Sequence, residues 1–443
     1  MKQENSCAAS SEMNLRANHA AIYANSLLVD LGEAARVSDD NVSKECDHPA
    51  LSWRRSGLLK TTGLMLPIPL ASAADGALLV LKAISSKASN LPQYGSQIVG
   101  ERARLRETVR VGKFCAGGYG RLLQAEDGFI ALNLVREDDW VLIPAWLEDY
   151  VEDWDGIERA VRVKSKTYLT ERAAEIGLAV SVDKLPDRPK QWFHKREFTK
   201  GDIPETPLIV DLSGLWAGPL STSLLSMTGA RVIKVEGPNR PDGMRNGHKG
   251  FYDLLNAGKD CAALDFKNIE DLARLKALLH KADVVIEASR PRALLQLGII
   301  AEEFMAAKAG KIWVRLTAYG QDENRIGFGD DIGIAAGLAR VMDMAHGEPC
   351  FVGDAIADPI NGLHLALAVR SALNQGGGAL LDFSMRDVLR YAMGDIPQNL
   401  RETAKEWQAI ANKDDAPFYA MRQPQGRVKI LGEDTQNVVS ELC

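Results

Sequence analysis

Short apolar runs alternate with longer amphipathic stretches along the second half of the chain. Runs of this length that are rich in Val, Ile and Leu predict strands buried on both faces, and the stretches between them predict helices. A strand, a helix and a strand in this order form a βαβ unit, so we expect a parallel sheet. The predicted strands are 208–212, 231–236, 261–265, 283–287 and 311–316.

This alternation predicts an α/β fold with a doubly wound parallel-sheet, Rossmann-like domain over 206–400. Upstream, 128–134 and 177–182 have strand patterns with helical segments between them, which predicts a smaller α+β domain over 120–185. The remaining segments are an N-terminal arm over 1–50 with one helix near 18–32, a helical segment over 51–119, a linker over 186–205 and a C-terminal tail over 401–443.

One stretch, Gly353–His364, joins a short acidic loop to an apolar helical segment. Asp358 therefore lies at or just before a helix N-terminus, where free N–H groups and the helix dipole favour a carboxylate. An ionised carboxylate in a partly buried place is a nucleophile toward acyl groups. The alternative is an N-cap with Pro359 at the first helical position, and taken alone such an Asp is more often a cap.

Composition narrows the class of protein. The 443 residues are 46% hydrophobic and 25% charged, with a net charge of -6, which indicates no general affinity for nucleic acid. No apolar run reaches the ~20 residues of a membrane span, and the first residues lack the apolar core of a signal peptide. The six Cys and seven His have no metal-ligand spacing, so we expect free thiols, no metal and a cytoplasmic location.

A nicotinamide-binding site is the first alternative for such a sheet. Glu236 ends the second strand, where a ribose-binding acid would lie. However, the first turn, Ser213–Pro219, is not GxGxxG, and the bulky Trp216 lies where a pyrophosphate needs glycine. The sequence therefore disfavours a dehydrogenase.

Several short motifs follow one another in this half of the chain. They are Val210–Ser213, Ala217–Pro219, Gly229–Glu236, Asn256–Lys259, Leu264–Lys267, Ala282–Glu287, Arg290–Pro291, Leu297–Gly298, Tyr319–Gly320, Asp358–His364 and Asp382–Met385. Each motif is weak alone, but their order and spacing together strongly resemble one family, the class III CoA-transferases, which includes formyl-CoA transferase, carnitine CoA-transferase and α-methylacyl-CoA racemase.

The resemblance implies an acyl-CoA:carboxylate CoA-transferase in which Asp358 attacks the thioester of the donor. An aspartyl-acyl anhydride and then an aspartyl-CoA thioester would follow, and an acceptor carboxylic acid would take the CoA. The implied substrates are an acyl-CoA and a carboxylic acid, with CoA as a co-substrate and no tightly bound cofactor. Gly376–Gly378 is a candidate oxyanion loop, although these glycines are equally a helix stop.

The resemblance also implies CoA contacts. A lysine or arginine suits the phosphates, although a solvated surface charge is the alternative for Lys267 and for Arg290. Gly237 lies where the family often has an arginine, and Arg240 in the same loop is a candidate replacement. The implied contacts are Trp216, Ala217, Leu264, Lys267, Ala288, Ser289 and Arg290.

Asp330 is a further predicted site residue because it lies where the racemases place a histidine, while Asp331 is expected to be structural. Without an imidazole there, a transferase is favoured over a racemase. The alternatives are an acyl-CoA racemase or isomerase of the same family and a CoA-binding protein without turnover.

The order of segments departs from the family. A small-domain-like segment precedes the nucleotide-binding half, whereas in the family it follows. Residues 51–185 resemble the trailing part of one copy, and Asp75 would be a weak counterpart of Asp358. Because family members form interlocked dimers, the resemblance implies a homodimer.

Overall fold

A computed structural model describes residues 19–37, 46–109, 112–290 and 292–443 of the protein. Within these ranges, ten strands form two sheets: a three-stranded sheet in the order β1-β2-β3 and a seven-stranded sheet in the order β4-β10-β9-β8-β5-β6-β7. The strands are β1 (Gly120–Ala125), β2 (Gly128–Asn133), β3 (Ala179–Val182), β4 (His194–Glu197), β5 (Leu208–Asp211), β6 (Arg231–Glu236), β7 (Asp260–Ala263), β8 (Val284–Glu287), β9 (Ile312–Thr317) and β10 (Ala379–Ser384).

Helices connect and cover these strands. The helices that precede β4 are α1 (19–30), α2 (Pro49–Arg55), α3 (Leu58–Thr62), α4 (Leu70–Ala83), α5 (Gly95–Leu105), α6 (Ile143–Leu147), α7 (Trp154–Val161) and α8 (Lys166–Ile176). Those that follow it are α9 (Ala217–Met227), α10 (Lys249–Asn256), α11 (Ile269–Lys281), α12 (Ala293–Gln296), α13 (Ala301–Ala307), α14 (Gly329–Ala335), α15 (Leu338–His346), α16 (Ala357–Asn374), α17 (Met385–Ala392), α18 (Leu400–Asn412) and α19 (Thr435–Leu442).

The large sheet is parallel except at one edge, where β4 pairs antiparallel with β10. Successive side chains of a strand point to opposite faces, and both faces are buried here. Ile209 and Val284 join a core with α9 and α16, whereas Val210 and Val285 join a second core with α11 and α13. The protein is therefore a mixed α/β structure built on a parallel sheet, with helices on both faces.

Two segments that were interpreted as a linker and a C-terminal tail are part of the folded structure. The stretch 186–205, interpreted as a linker, contains the edge strand β4, whose residues are all exposed. The stretch 401–443, interpreted as a tail, closes the opposite edge, because the backbone N–H of Cys261 in β7 donates to Asp434 at 2.9 Å. A row of unpaired strand groups at that edge is thereby satisfied.

The segments upstream of the large sheet pack directly on it. Helices α1 and α4 belong to the same core as α16, and the Tyr23 hydroxyl lies 2.7 Å from His364 Nε2. The three-stranded sheet is joined to α14 through Asp331, which accepts hydrogen bonds from Asn133 and Ser181 at 3.0 and 3.2 Å. Asp331 is therefore structural, as the sequence analysis expected.

Two properties bear on the class of protein. In the described ranges we find no helix with the length and apolarity that spanning a bilayer requires. Cys115 and Cys261 are buried thiols and Cys443 is an exposed one, whereas Cys7 lies outside the described residues. Over the same ranges, no group of three or more His, Cys, Asp or Glu side chains is placed to hold a metal ion.

Candidate active site

Asp358 is the second residue of helix α16. The N-cap position is Ile356, so the alternative in which Asp358 caps the helix is wrong. Its neighbours Ala357 and Pro359 are buried, whereas Asp358 itself is partly exposed. The residue is thus partly accessible, and its carboxylate contacts neighbouring elements.

Two other helices begin at this carboxylate. The backbone N–H of Ala217, the first residue of α9, donates a hydrogen bond to it. On another side lies Gly329, the first residue of α14, where a Cβ atom would come within 2.0 Å of Asp358 Oδ2. Helix α9 crosses α16 closely, since a Cβ on Gly362 would lie 2.8 Å from the Ala217 carbonyl oxygen. Close helix starts therefore define the position of the carboxylate.

Charged groups from three segments surround Asp358. In the loop before α16, Asp354 is fully buried and accepts from Arg102 of α5, with 2.8 Å between Arg102 Nε and Asp354 Oδ2. Asp330 of α14 accepts from the backbone N–H of Ala355 at 2.8 Å and from the thiol of Cys115. Asp330 was predicted at this place, whereas Arg102, Asp354 and Cys115 were not.

This environment changes the ionisation of the carboxylates. Burial raises the pKa of Asp358 to about 7, a shift that Arg102 opposes and Asp330 increases. Burial also raises the pKa of Asp330 to about 6. A carboxylate that is weakly solvated and ionises near neutral pH is suited to nucleophilic or acid–base chemistry.

The two loops that lead to α9 and α16 contain backbone strain. Leu215 has a φ of 64° and Ala355 a φ of 44°, both in the left-handed region that residues with a Cβ rarely adopt. Each is held by a carboxylate: Asp242 accepts from Leu215 N at 2.9 Å, and Asp330 from Ala355 N. Strained residues of this kind cluster at functional sites, and these two flank Asp358.

The predicted CoA contact Trp216 lies beside these groups. Its ring packs edge-on against Phe251 at 4.8 Å between centroids, and the Arg102 guanidinium lies 4.6 Å over it. The indole Nε1 is buried and has no hydrogen-bond partner among the described residues. A buried donor of this kind is available to a hydrogen-bond acceptor. The structure therefore brings Trp216 and Ala217 together with Asp358 and Asp330.

The other predicted contacts lie elsewhere at the carboxyl ends of the strands. Leu264, after β7, is 1% exposed and packs in the core that includes α11, so its side chain is not available to a ligand. Lys267 in the same turn is exposed. Since β7 is the edge strand and lies two strands from β5, this turn is separated from the loop that carries Trp216.

A cluster of arginines marks the loop after β8, where Ala288, Ser289 and Arg290 were predicted. Burial lowers the pKa of Arg290, and the nearby cations Arg136 and Arg240 lower it further. Arg240 was the predicted replacement from the β6 loop, whereas Arg136, in the loop after β2 and ion-paired with Asp139, was not predicted. Guanidinium groups that repel one another in this way are a suitable site for phosphates.

The candidate oxyanion loop Gly376–Gly378 is not part of the site. It follows the C-terminal end of α16, whereas Asp358 lies at the N-terminal end of the same 18-residue helix. At 1.5 Å per residue the helix separates them by roughly 25 Å. The alternative holds: these glycines end the helix, and a Cβ on Gly377 would lie 1.8 Å from the Gly310 carbonyl oxygen.

Curated relatives of known activity resemble part of the chain. It is 27% identical to the succinyl-CoA–D-citramalate CoA-transferase of Chloroflexus aurantiacus, over 50% of this chain and 64% of that protein. It is 28% identical to the succinate–glutarate CoA-transferase of Agrobacterium fabrum, over 41% and 50%. It is 29% identical to the acetyl-CoA:oxalate CoA-transferase of Acetobacter aceti, over 53% and 64%. The chain thus spans between half and two thirds of the length of these relatives.

A family model described as CoA-transferase family III matches residues 207–431, just over half of the chain. The match includes Asp358, Asp330 and Trp216, together with the loop that carries Arg290. It excludes the upstream half, from which Arg102, Cys115 and Arg136 reach the site. On this match, the chain belongs to CoA-transferase family III.

Proposed function

We propose that the protein transfers CoA from an acyl-CoA to a carboxylic acid, with Asp358 as the nucleophile. The observation that carries the proposal is the Asp358 carboxylate itself. It belongs to a partly exposed residue, contacts the first residues of α9 and α14, and has a pKa raised by burial to about 7. The names of the relatives support the reaction class, since each is a CoA-transferase acting on a carboxylic acid.

The reaction needs no net proton and no second cofactor. A carboxylate oxygen of Asp358 attacks the thioester carbonyl carbon, the C–S bond breaks, and the CoA thiolate leaves an aspartyl-acyl anhydride. The thiolate attacks the aspartyl carbonyl carbon, which releases the first acid and forms an aspartyl-CoA thioester. The acceptor carboxylate attacks that carbon and expels the thiolate, which then attacks the acceptor side of the new anhydride. Asp358 is regenerated as a carboxylate.

CoA is a substrate in this proposal, and its phosphates are assigned to the arginine cluster. Arg290 and Arg240 supply cations from two loops of the large sheet, and Arg136, which is ion-paired with Asp139, adds a third guanidinium from the loop after β2. Charge-assisted bonds from guanidinium groups suit a pyrophosphate. The pantetheine arm would then run from these loops toward Trp216 and Asp358, whereas Lys267 is the more remote cation. A homodimer and a cytoplasmic location stay predictions.

Covalent trapping tests this function. The purified protein is incubated with a panel of acyl-CoA donors, treated with hydroxylamine, and digested for mass spectrometry. We expect an aspartyl hydroxamate on the peptide that carries Asp358, and none in the Asp358→Asn variant. Donor-dependent exchange of CoA between acids without modification at Asp358 would contradict the assignment.

A second function is favoured by one observation, the pairing of Asp358 with Asp330. Two carboxyls with raised pKa values beside each other are suited to removing and returning a proton. An acyl-CoA racemase or isomerase would exchange the α-hydrogen of a 2-methylacyl-CoA with D2O without an acceptor acid. A protein that only binds CoA would show neither this exchange nor trapping.

A further inference from the structure

We propose that Arg102 is a positioning residue for Asp358. This role rests on the function proposed above. Arg102 lies in helix α5 of the upstream half, outside the segment that matches the family. Held against the loop before α16, its guanidinium would stabilise the ionised carboxylate that attacks the thioester.

The geometry fixes the cation between the two elements that meet at Asp358. On one side Arg102 makes a two-pronged ion pair with Asp354, four residues before Asp358, and Asp354 is fully buried. On the other side its guanidinium lies over the ring of Trp216, the residue before the N–H group that faces Asp358. A guanidinium held along one edge by a carboxylate and covered on one face by an aromatic ring has little freedom to move.

The charges around Asp358 explain why one cation matters. Asp330 and Asp331 face it from α14, Asp354 lies in the loop before its helix, and the Cys115 thiol bonds to Asp330. Among the charged groups that act most strongly on Asp358, Arg102 is the cation and Asp330 and Asp331 are the anions. The same guanidinium also favours ionisation of Asp330. Without it, the carboxylates would oppose one another in a poorly solvated place, and the nucleophile would be protonated at neutral pH.

The Asp354 carboxylate is the second member of the ion pair that holds Arg102 near Asp358. It binds the guanidinium at both oxygens, so the cation reaches Asp358 by its field and not by a hydrogen bond of its own. Two of the three guanidinium nitrogens of Arg102 are used in this pair. The expected effect of Arg102 is on the ionisation of Asp358 and not on the affinity for CoA.

The test compares the protein with the double variant Arg102→Gln/Asp354→Asn, which removes the pair without leaving a buried charge. Titration of Asp358 is followed by infrared difference spectra of the carboxyl band against the same background with Asp358→Asn. We expect the midpoint to rise by about one pH unit in the double variant. In Arg102→Lys, which keeps the charge, we expect less than half of that rise.

A matched control lies one residue away in the same helix. Glu101 and Arg422 form a second buried two-pronged ion pair, with 2.7 Å between Arg422 Nε and a Glu101 oxygen. The double variant Glu101→Gln/Arg422→Gln loses an equivalent pair, and we expect the Asp358 midpoint to stay unchanged. An equal rise in this control, or no rise in the Arg102 double variant, would overturn the proposal.

Turnover provides the readout that a merely structural role would not affect. In the Arg102 double variant we expect kcat/KM to fall about tenfold at pH 6.5 and to recover above pH 8, with the dissociation constant for CoA unchanged. A loss that persists at high pH would contradict the role. The infrared titration needs no turnover. A shifted midpoint in a protein whose Asp358→Asn variant still transfers CoA would therefore refute the proposed function and leave the electrostatic link in place.

Discussion

Two carboxylates, Asp358 and Asp75, lie on helices that pack against each other, α16 and α4. Both are raised in pKa by burial, to about 7 and about 6. Asp75, however, is the sixth residue of its helix and only 2% exposed. It accepts from the backbone N–H of Ser96 at 2.8 Å and from the Ser52 hydroxyl at 3.2 Å. Asp358, in contrast, is partly exposed, and the loops on either side of it contain the strained residues Leu215 and Ala355.

The difference shows that a raised pKa does not by itself identify a nucleophile. In both sites a helix starts at the carboxylate, and glycine permits the close approach: Gly95 near Asp75 and Gly329 near Asp358. The two sites differ in solvent access, because both carboxylate oxygens of Asp75 are hydrogen-bonded within the core. A fully buried carboxylate such as Asp75 is a structural acid, whereas a partly exposed one such as Asp358 can react with a substrate.

Exchanging each carboxylate for an amide gives the largest contrast. We expect Asp358→Asn to lower kcat by at least about 1,000-fold, because an amide cannot form the anhydride. Asp75→Asn should leave kcat within about twofold, since its side chain does not reach the site. Steady-state transfer assays on both variants, with CoA binding measured by calorimetry, test this contrast. A similar loss in the two variants would contradict it.

Glycine at the start of α14 allows a second, smaller test. In Gly329→Ala the new Cβ would lie 2.0 Å from Asp358 Oδ2, so the carboxylate must move. A displacement of about 1 Å at the reacting group lowers kcat by roughly 100-fold. Gly333→Ala is the matched control, because its Cβ would meet side chains at 3.6 and 3.7 Å, an ordinary contact. Equal kcat values for the two alanine variants would argue against this geometry.

The pH dependence distinguishes the two acids directly. With a pKa near 7, Asp358 is protonated in acid, so kcat/KM should fall about tenfold for each pH unit below 7. If Asp75 were the nucleophile, the break would come near pH 6 instead. A pH–rate profile from pH 5 to 8.5, in buffers of constant ionic strength, separates the two.

The parallel sheet was predictable because buried strands are a local property of the sequence. The five apolar runs correspond to β5, β6, β7, β8 and β9 within one or two residues at each end. Strand β4 was missed because its sequence, His194–Glu197, is charged and fully exposed, and an edge strand of this kind has no apolar signature. The helix predicted near 18–32 is present over 19–30, with residue 18 outside the described ranges.

The site was predictable only in part. Asp358, Asp330 and Trp216 were predicted because each matches a position of the family that the sequence resembles, although Trp216 is far from the other two in sequence. Arg102 meets Asp354 across 252 residues, and no local spacing indicates such a pair. Leu264 illustrates the opposite case, since its motif is present but its side chain is buried in a core. Contacts between distant segments follow from packing and cannot be assembled from local patterns.

The smallest expected effect is on the stability of the protein, and it concerns Asp75. Because folding raises the pKa of Asp75 from 3.8 to about 6, the folded state disfavours its ionised form. The contribution of Asp75 to stability is thus full below pH 3.8 and is lost as the pH rises through about 6. An amide does not ionise, and the Ser52 hydroxyl can turn to accept from it. Asp75→Asn should therefore be more stable than the wild type at pH 8.

The size of this effect follows from the same linkage. One pKa unit corresponds to about 1.4 kcal/mol, so the difference in the free energy of unfolding between Asp75→Asn and the wild type should grow by about 1 kcal/mol from pH 5 to pH 8. Urea unfolding at the two pH values measures it. A difference that stays constant would mean that Asp75 is ionised in the folded protein. A buried ionised carboxylate needs a partner. In that case Asp75 would be similar to Asp358 in its ionisation, although the surroundings of the two acids differ.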